Sequence, residues 1–294
     1  MLAEPLVLRV EPRRHGALRL ATFWLAERAA HCLGGRAFYR RAFLDAGRLQ
    51  IREERLPVAN LALPLRGFCV VQLSDFHAGA LFARGSLAHA VEAANAANPD
   101  LIVLTGDFIT RHWSEALSLL DDFAALRARL GVFAVFGNHD YRGRCEAQIV
   151  EAYAARGIQF LRNRGVRFAV GGVGLALCGI EDLEEARAID IEAAREVVEV
   201  GDVELVLCHN PRRAAELSRR GVAAIFSGHT HGTQVDLPWL RRLGPPHPGA
   251  RVHLGESRLI TSRGLGVVGF PLRIGAPAEI VVMRLELCAA GAAA

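Results

Sequence analysis

A chain of 294 residues, 51% hydrophobic and 22% charged, can bury the core of one large α/β domain, and this balance excludes a disordered, collagenous or disulfide-scaffold protein. Its six Cys are irregularly spaced, with no Cys-x-x-Cys pair, which points to a reducing compartment. The net charge of +4 comes from an N-terminal surplus: residues 1–66 hold twelve Arg against six Asp or Glu, and no evenly basic groove for nucleic acid emerges.

The first expected element is an amphipathic helix over 17–33, with Leu20, Phe23, Trp24 and Leu33 on its apolar side. Its uncharged run, Leu20 to Ala26, is too short to span a bilayer, and no small-residue cleavage site follows it. Arg36, Arg40 and Arg41 come next, interleaved with Phe38, Tyr39 and Phe43. Arg among aromatics suits an anionic membrane surface; a helical pair packed on the catalytic domain is the alternative. Residues 1–60 are therefore read as a basic amphipathic segment, peripheral on the cytoplasmic face of a membrane.

Residues Arg48 to Arg55 alternate as an edge strand, and Pro57 and Pro64 mark the entry to a catalytic domain over 61–288. Strands are expected at Phe68–Leu73, Leu101–Leu104, Val132–Phe136, Val203–Cys208, Ala223–Ser227 and Ala278–Leu285, with a hairpin at Val166–Val170 and Val173–Gly179. Helices are expected over Ser86–Ala97, Ser114–Leu130 and Ile189–Val200. The Ala-rich tail, 289–294, is expected to fray. Alternating strands and helices argue for an α/β fold, and the β-rich final third argues that its sheets are not purely parallel.

Five short motifs stand at the ends of apolar runs: Asp75-Phe-His77, Gly106-Asp107, Gly137-Asn138-His139-Asp140, Cys208-His209 and Gly228-His229-Thr-His231-Gly232. Together they offer three carboxylates, one amide and five imidazoles. Polar groups delivered at the C-terminal ends of buried strands are the usual geography of an α/β active site. Carboxylate, imidazole and amide are ligands for divalent metals. Two such metals about 3.5–4 Å apart can clamp the attacking and leaving oxygens of a displacement at phosphorus, if one carboxylate is shared. A Gly-Asp pair alone is usually a turn; the joint occurrence carries the reading.

In this order the five motifs resemble the calcineurin-like metallophosphoesterase family, over residues 67–285. The resemblance implies two facing mixed β-sheets flanked by helices, a four-layer sandwich. It implies that Asp75, His77, Asp107 and His231 hold one metal, and that Asp107, Asn138, His209 and His229 hold the second, with Asp107 bridging. His139 would be the catalytic imidazole, giving a proton to the leaving oxygen, with Asp140 orienting it and Asn138 assisting at the phosphoryl oxygens. The ligand set accepts Mn, Fe, Zn or Co.

Leu65-Arg-Gly-Phe and Ser262-Arg-Gly-Leu-Gly266, with Pro271-Leu-Arg273, resemble the bacterial membrane-associated phosphodiesterase branch, some members of which are similar to UDP-2,3-diacylglucosamine hydrolases. The expected substrate is thus a phosphate-containing small molecule or lipid. One departure is Thr233, where that branch more often has Gly. Arg263 and Arg273 are read as contacts to substrate phosphate or, equally, as structural ion pairs. Glu181-Asp182 is read as a substrate edge or a solvated loop, and His112 as a surface residue or a pocket rim. The rival functions are a nucleotide, nucleic-acid or protein phosphatase of the same fold, and a non-catalytic scaffold.

Overall fold

The computed structural model describes residues 6–7, 17–32, 34–79, 81–236, 251–269 and 272–288. Helix α1 spans Ala17–Cys32; α2 spans Gly35–Tyr39 and runs into one π turn at Arg40–Leu44. Gly34 and Gly35, at φ 103° and 52°, reverse the chain between them. Trp24 and Leu25 are 49% and 60% exposed, whereas Tyr39 is fully buried. Leu33 lies outside the described residues, as do the side chains of Leu20 and Phe23. The Tyr39 hydroxyl donates to the Leu265 carbonyl at 2.8 Å, and Arg36 donates to the Gly79 carbonyl at 3.1 Å. So α2 packs on the catalytic domain while part of α1 faces outward.

Strands β1 (Gln50–Val58), β2 (Cys69–Leu73), β3 (Leu101–Thr105), β4 (Val132–Val135) and β5 (Ile158–Phe160) follow in order. Then come β6 (Arg164–Val170), β7 (Val173–Ile180), β8 (Val203–Cys208), β9 (Ala224–Ser227), β10 (Arg251–Leu254), β11 (Ser257–Thr261) and β12 (Glu279–Leu287). They form two six-stranded mixed sheets, ordered β1-β12-β2-β3-β4-β5 and β10-β11-β9-β8-β7-β6. The first sheet is parallel except where β12 meets β2; the second is parallel except for the β6–β7 and β10–β11 hairpins. The edge strand read at 48–55 is β1, so a strand from the N-terminal segment completes the first sheet.

Each central strand is buried along its whole length. Alternate residues face two different cores, as a period of two requires. Leu101, Val103, Leu205 and Leu207 meet between the sheets, with Phe133 and Phe226. Ile102 and Leu104 face Phe123 and Tyr153 on one outer side; Val206 and Cys208 face Ala194 and Leu217 on the other. Coverage on both faces is why these strands read as apolar runs, broken internally by buried Gln72 and Glu204. Each buried Leu or Val contributes about 1.5–3 kcal/mol.

The helices are shorter than the sequence pattern suggests. The expected helix 86–97 is α3, Ala88–Ala96. The expected helix 114–130 is only two turns, α4 (Ser114–Leu117) and α5 (Leu120–Phe123). Ser118 Oγ donates to the Glu115 carbonyl at 2.7 Å, an alternative to the helical ladder. Past Phe123 the chain is held by neighbours instead: Asn95 bonds the Ala125 carbonyl and the Arg127 N–H, and Leu130 N–H donates to the Asp100 carbonyl. Helix α6 (Glu146–Ala154) was not anticipated. The expected helix 189–200 is α7, Ile191–Arg195, capped by Asp190; α8 is Ala214–Ser218.

Candidate metal centre

All five motifs sit where β2, β3, β4, β8 and β9 end, on one rim of the two sheets. The turns are tight. Asp75, His77, Asp107, His229 and His231 all adopt φ between 47° and 70°. Gly228 is required by close approach: a Cβ there would lie 2.3 Å from Asp75 Oδ2.

Ligand-type atoms of Asp75, His77, Asp107 and His231 all lie within 4.8 Å of one another, and all four residues are buried. His231 Nε2 is 3.4 Å from Asp75 Oδ1, and the Nε2 atoms of His77 and His231 face each other at 2.9 Å. Asp107 Oδ2 stands 3.4 Å from His77 Nε2 and 3.4 Å from His209 Nε2. On the far side of Asp107, His229 Nδ1 is 2.9 Å from Asn138 Oδ1, and the His209 and His229 rings meet edge to face. Backbone donors fix the carboxylates: His229 N–H to Asp75 Oδ1 and His139 N–H to Asp107 Oδ1, both at 2.9 Å.

Electrostatics show what the pocket accepts. Burial raises the Asp75 carboxyl to about 6 and holds His77 and His231 well below the usual imidazole value. Burial also lowers His229, to about 4, and the neighbouring His209 adds to this. Burial opposes charge on Asp107, but His209, His139 and His77 outweigh it and hold the carboxyl well below the usual range. His209 is the reverse: burial pushes it down, and Asp107 outweighs this and holds it well above. Carboxylates thus draw positive charge to the space between them, and the Nε2 atoms of His77 and His231, rings that burial keeps neutral, line it. Asp75 Oδ2 and His209 Nε2 are buried without a hydrogen-bond partner among the described residues, a costly state for polar atoms, and the Nε2 atoms of His77 and His231 crowd together beside the two carboxylates. A divalent cation would satisfy such a mixed oxygen and nitrogen set; the residues present fit one.

His139 lies beside this group, its ring 4.6 Å from that of His77. Its Nδ1 is 3.1 Å from the Thr110 carbonyl, so Thr110, not Asp140, orients the imidazole. Burial lowers its pKa to about 3. The expected role of Asp140 is corrected. Its two oxygens accept the N–H groups of Asp107, Phe108, Ile109 and Gly137 at 2.7–3.1 Å. Asp140 therefore ties the β3 turn to the β4 turn.

Both Arg263 and Arg273 are engaged by the protein itself. Arg263 grips buried Glu279 through Nε and Nη2 at 2.8 and 2.7 Å. Arg273, 6% exposed, donates to the carbonyls of Ala276, Arg263 and Gly266 and to the Tyr39 hydroxyl. Glu181 and Asp182 form no open edge: both are buried, Glu181 pairs with Arg162, and Asp182 accepts the N–H groups of Glu184 and Glu185. His112 is exposed and its Nδ1 pairs with Ser114 Oγ at 2.8 Å. Two polar neighbours of the centre were missed. Glu184 Oε1 is 3.7 Å from His229 Nε2, behind the imidazole. Arg142 Nη2 is 3.2 Å from His139 Nε2; its place three residues past His139, one 3₁₀ turn on, was the available signal.

Comparison with protein families matches residues 69–233 to the description calcineurin-like phosphoesterase. YkuE of Bacillus subtilis, an uncharacterized metallophosphoesterase, is 29% identical over 265 residues, covering 86% of this chain and 91% of that protein. An uncharacterized metallophosphoesterase of Helicobacter pylori is 28% identical over 255 residues, covering 84% of this chain and 67% of its own. A transmembrane protein with metallophosphoesterase domain from Danio rerio is 29% identical over 250 residues, covering 81% of this chain but 57% of that protein. The chain thus spans little more than half of the fish protein.

Proposed function

We propose, from the premise that this chain belongs to the calcineurin-like phosphoesterase family and is a metal-dependent phosphoesterase, that it cleaves phosphodiester or pyrophosphate bonds at a two-cation centre. One observation carries the reading: a single oxygen of Asp107 stands 3.4 Å from an imidazole nitrogen on either side. Asp75, His77, Asp107 and His231 would hold one cation. Asp107, Asn138, His209 and His229 would hold the other. Divalent cations lower the pKa of water and take charge from phosphoryl oxygens. The chain's own groups do the rest. Asp140 fixes the distance between the Asp107 and His139 turns. His139, steadied at Nδ1 by Thr110, would take up a proton on Nε2 and give it to the leaving oxygen.

For substrate, we favour a phosphate linked to a lipid, of the kind found in UDP-2,3-diacylglucosamine. Position supports this. Exposed Trp24, Leu25 and Phe38 share helices α1 and α2 with Arg28 and Arg36, and the π turn that follows adds Arg40 and Arg41. A surface depression of about 470 Å³ there is lined by Gly34, Ala37, Phe38, Arg41 and Ala42. Arg36 reaches the Gly79 carbonyl, two residues beyond His77. Among the described residues no helix is long and apolar enough to cross a membrane; binding at the cytoplasmic surface of an anionic bilayer is the arrangement these side chains suit.

The test is a substrate panel with Mn²⁺: bis-p-nitrophenyl phosphate, UDP-2,3-diacylglucosamine, a mononucleotide and a phosphopeptide. Turnover of the diester, with the lipid nucleotide preferred over the last two, is expected. Preference for the nucleotide or peptide would transfer the assignment to the rival phosphatases. Metal-loaded protein that cleaves none of them would leave a binding scaffold.

A further inference from the structure

Arg142 closes the 3₁₀ turn that carries His139, at Asn138–Tyr141. Side chains three residues apart on such a turn leave it on the same side. The guanidinium wraps the imidazole. Nη2 lies 3.2 Å from His139 Nε2, and Nη1 donates to the Thr110 carbonyl, which also faces His139 Nδ1 at 3.1 Å. A guanidinium only donates, so His139 meets it with the Nε2 lone pair and carries its hydrogen on Nδ1. Thr110 is itself fixed: its N–H donates to Glu115 and its hydroxyl to the His77 carbonyl. Arg142 is half-buried, so one cation is held in a set position beside the catalytic imidazole, partly open to solvent.

We propose that Arg142 is a phosphoryl-binding residue of this site. When a phosphate ester enters beside His139, Nη2 leaves the imidazole lone pair for a non-bridging phosphoryl oxygen, while Nη1 stays anchored on Thr110. The exchange is favourable because a charge-assisted bond from a guanidinium to phosphate is stronger than one to a neutral imidazole. It also frees the His139 Nε2 lone pair to take up a proton and hand it to the leaving oxygen. The assignment rests on the phosphoesterase reading for its substrate class, but not for its first readout, which is binding of inorganic phosphate.

The experiment compares wild type with Arg142→Ala, Arg142→Lys and Arg142→Gln in the full chain loaded with Mn²⁺. Metal content, the Kd of inorganic phosphate by calorimetry, and kcat and KM on bis-p-nitrophenyl phosphate are measured. Arg142→Ala is expected to keep its manganese, to bind phosphate about tenfold more weakly, and to lose about 10²-fold in kcat/KM. Millimolar guanidinium should restore part of that loss in Arg142→Ala and nothing in wild type; Lys, lacking the planar fork, should recover little. If Arg142→Ala sheds manganese, Arg142→Gln, which keeps a donor for Thr110, carries the same comparison. Unchanged phosphate affinity overturns the proposal, as does lost turnover that guanidinium does not rescue, since either leaves Arg142 only propping His139. Should wild type cleave no ester yet bind phosphate through Arg142, the functional reading fails and this one stands.

Discussion

Five residues of the metal centre occupy left-handed backbone conformations, each at a cost of order 1–3 kcal/mol for a non-glycine residue. The surroundings that impose them are visible, and Asp140 is foremost. Four backbone donors end on its carboxylate; burial and Asp107 push its pKa up, to about 8, against the pull of those donors. Asp140→Ala would strand them in the interior. A loss of about 2–4 kcal/mol is expected, with manganese retention falling in parallel, as thermal denaturation and metal analysis would show. A pure kcat defect with unchanged stability would contradict this. Thr233 is a different case. It sits at φ 65° beside Gly232, where a β-branched side chain is out of place, and its hydroxyl donates to the Gly232 carbonyl. Thr233→Gly should release the strain, less the entropy that glycine adds to the unfolded chain, for a net gain of about 1 kcal/mol and a higher Tm. At this scale the sequence shows which side chains meet, because costly polar groups follow apolar strands. It hides what orients them: Thr110 acts through a carbonyl that every residue has, and Asp140 through amides, so neither leaves a mark in composition.

Elements differ in how plainly they can be read. Strands β2, β3, β4, β8 and β9 are legible because both faces are covered and the runs are apolar but for buried Gln72 and Glu204 and a closing Thr105 or Ser227. The stretch 114–130 is not, because its later turns are set by Asn95 and Asp100 in other elements. Nor is β10, whose Arg251 and His253 alternate with Val252 and Leu254 over only four residues. Two ties between elements have measurable consequences. Arg273 joins α2 to the 263–266 loop through Tyr39 and three carbonyls. Arg273→Met should cost about 2–3 kcal/mol while leaving KM for bis-p-nitrophenyl phosphate unchanged; a raised KM with unchanged Tm would restore the guanidinium to the substrate. Arg167, on β6, donates through Nε and Nη2 to Asp202 ahead of β8, and holds that carboxyl below its usual pKa. The folded state therefore binds fewer protons than the unfolded one. The stabilisation is present above the unfolded pKa of about 3.9 and is lost as pH falls through the lower folded value. Asp202→Asn should melt below wild type at pH 7, and the gap should close in acid; a gap independent of pH would refute the linkage.

For the whole molecule, the centre is where both sheets end, so ions bound there would brace one half of the sandwich against the other. Buried carboxylates and imidazoles crowd together at that seam, and a bound cation would stabilise them further. Dialysis against EDTA is expected to lower Tm, and Mn²⁺ to restore it, by the equivalent of about 2.7 kcal/mol at a hundredfold excess over Kd. A Tm indifferent to chelation would mean that the cluster holds no ion tightly. The layered sandwich itself was expected through the resemblance of five motifs; strand order was not, since nothing local in β1 or β12 announces that they pair.

That pairing decides where the polypeptide comes and goes. Strands β1 and β12 run in the same direction over nine residues, Gln50 beside Glu279 and Val58 beside Leu287, a span of about 27 Å. Glu279 abuts the loop at Arg263 and Gly264, so the chain arrives on the catalytic rim and departs from the opposite pole. A fluorophore, bead or tether grafted after Cys288 would hang clear of the mouth, whereas cargo placed ahead of α2 would crowd it.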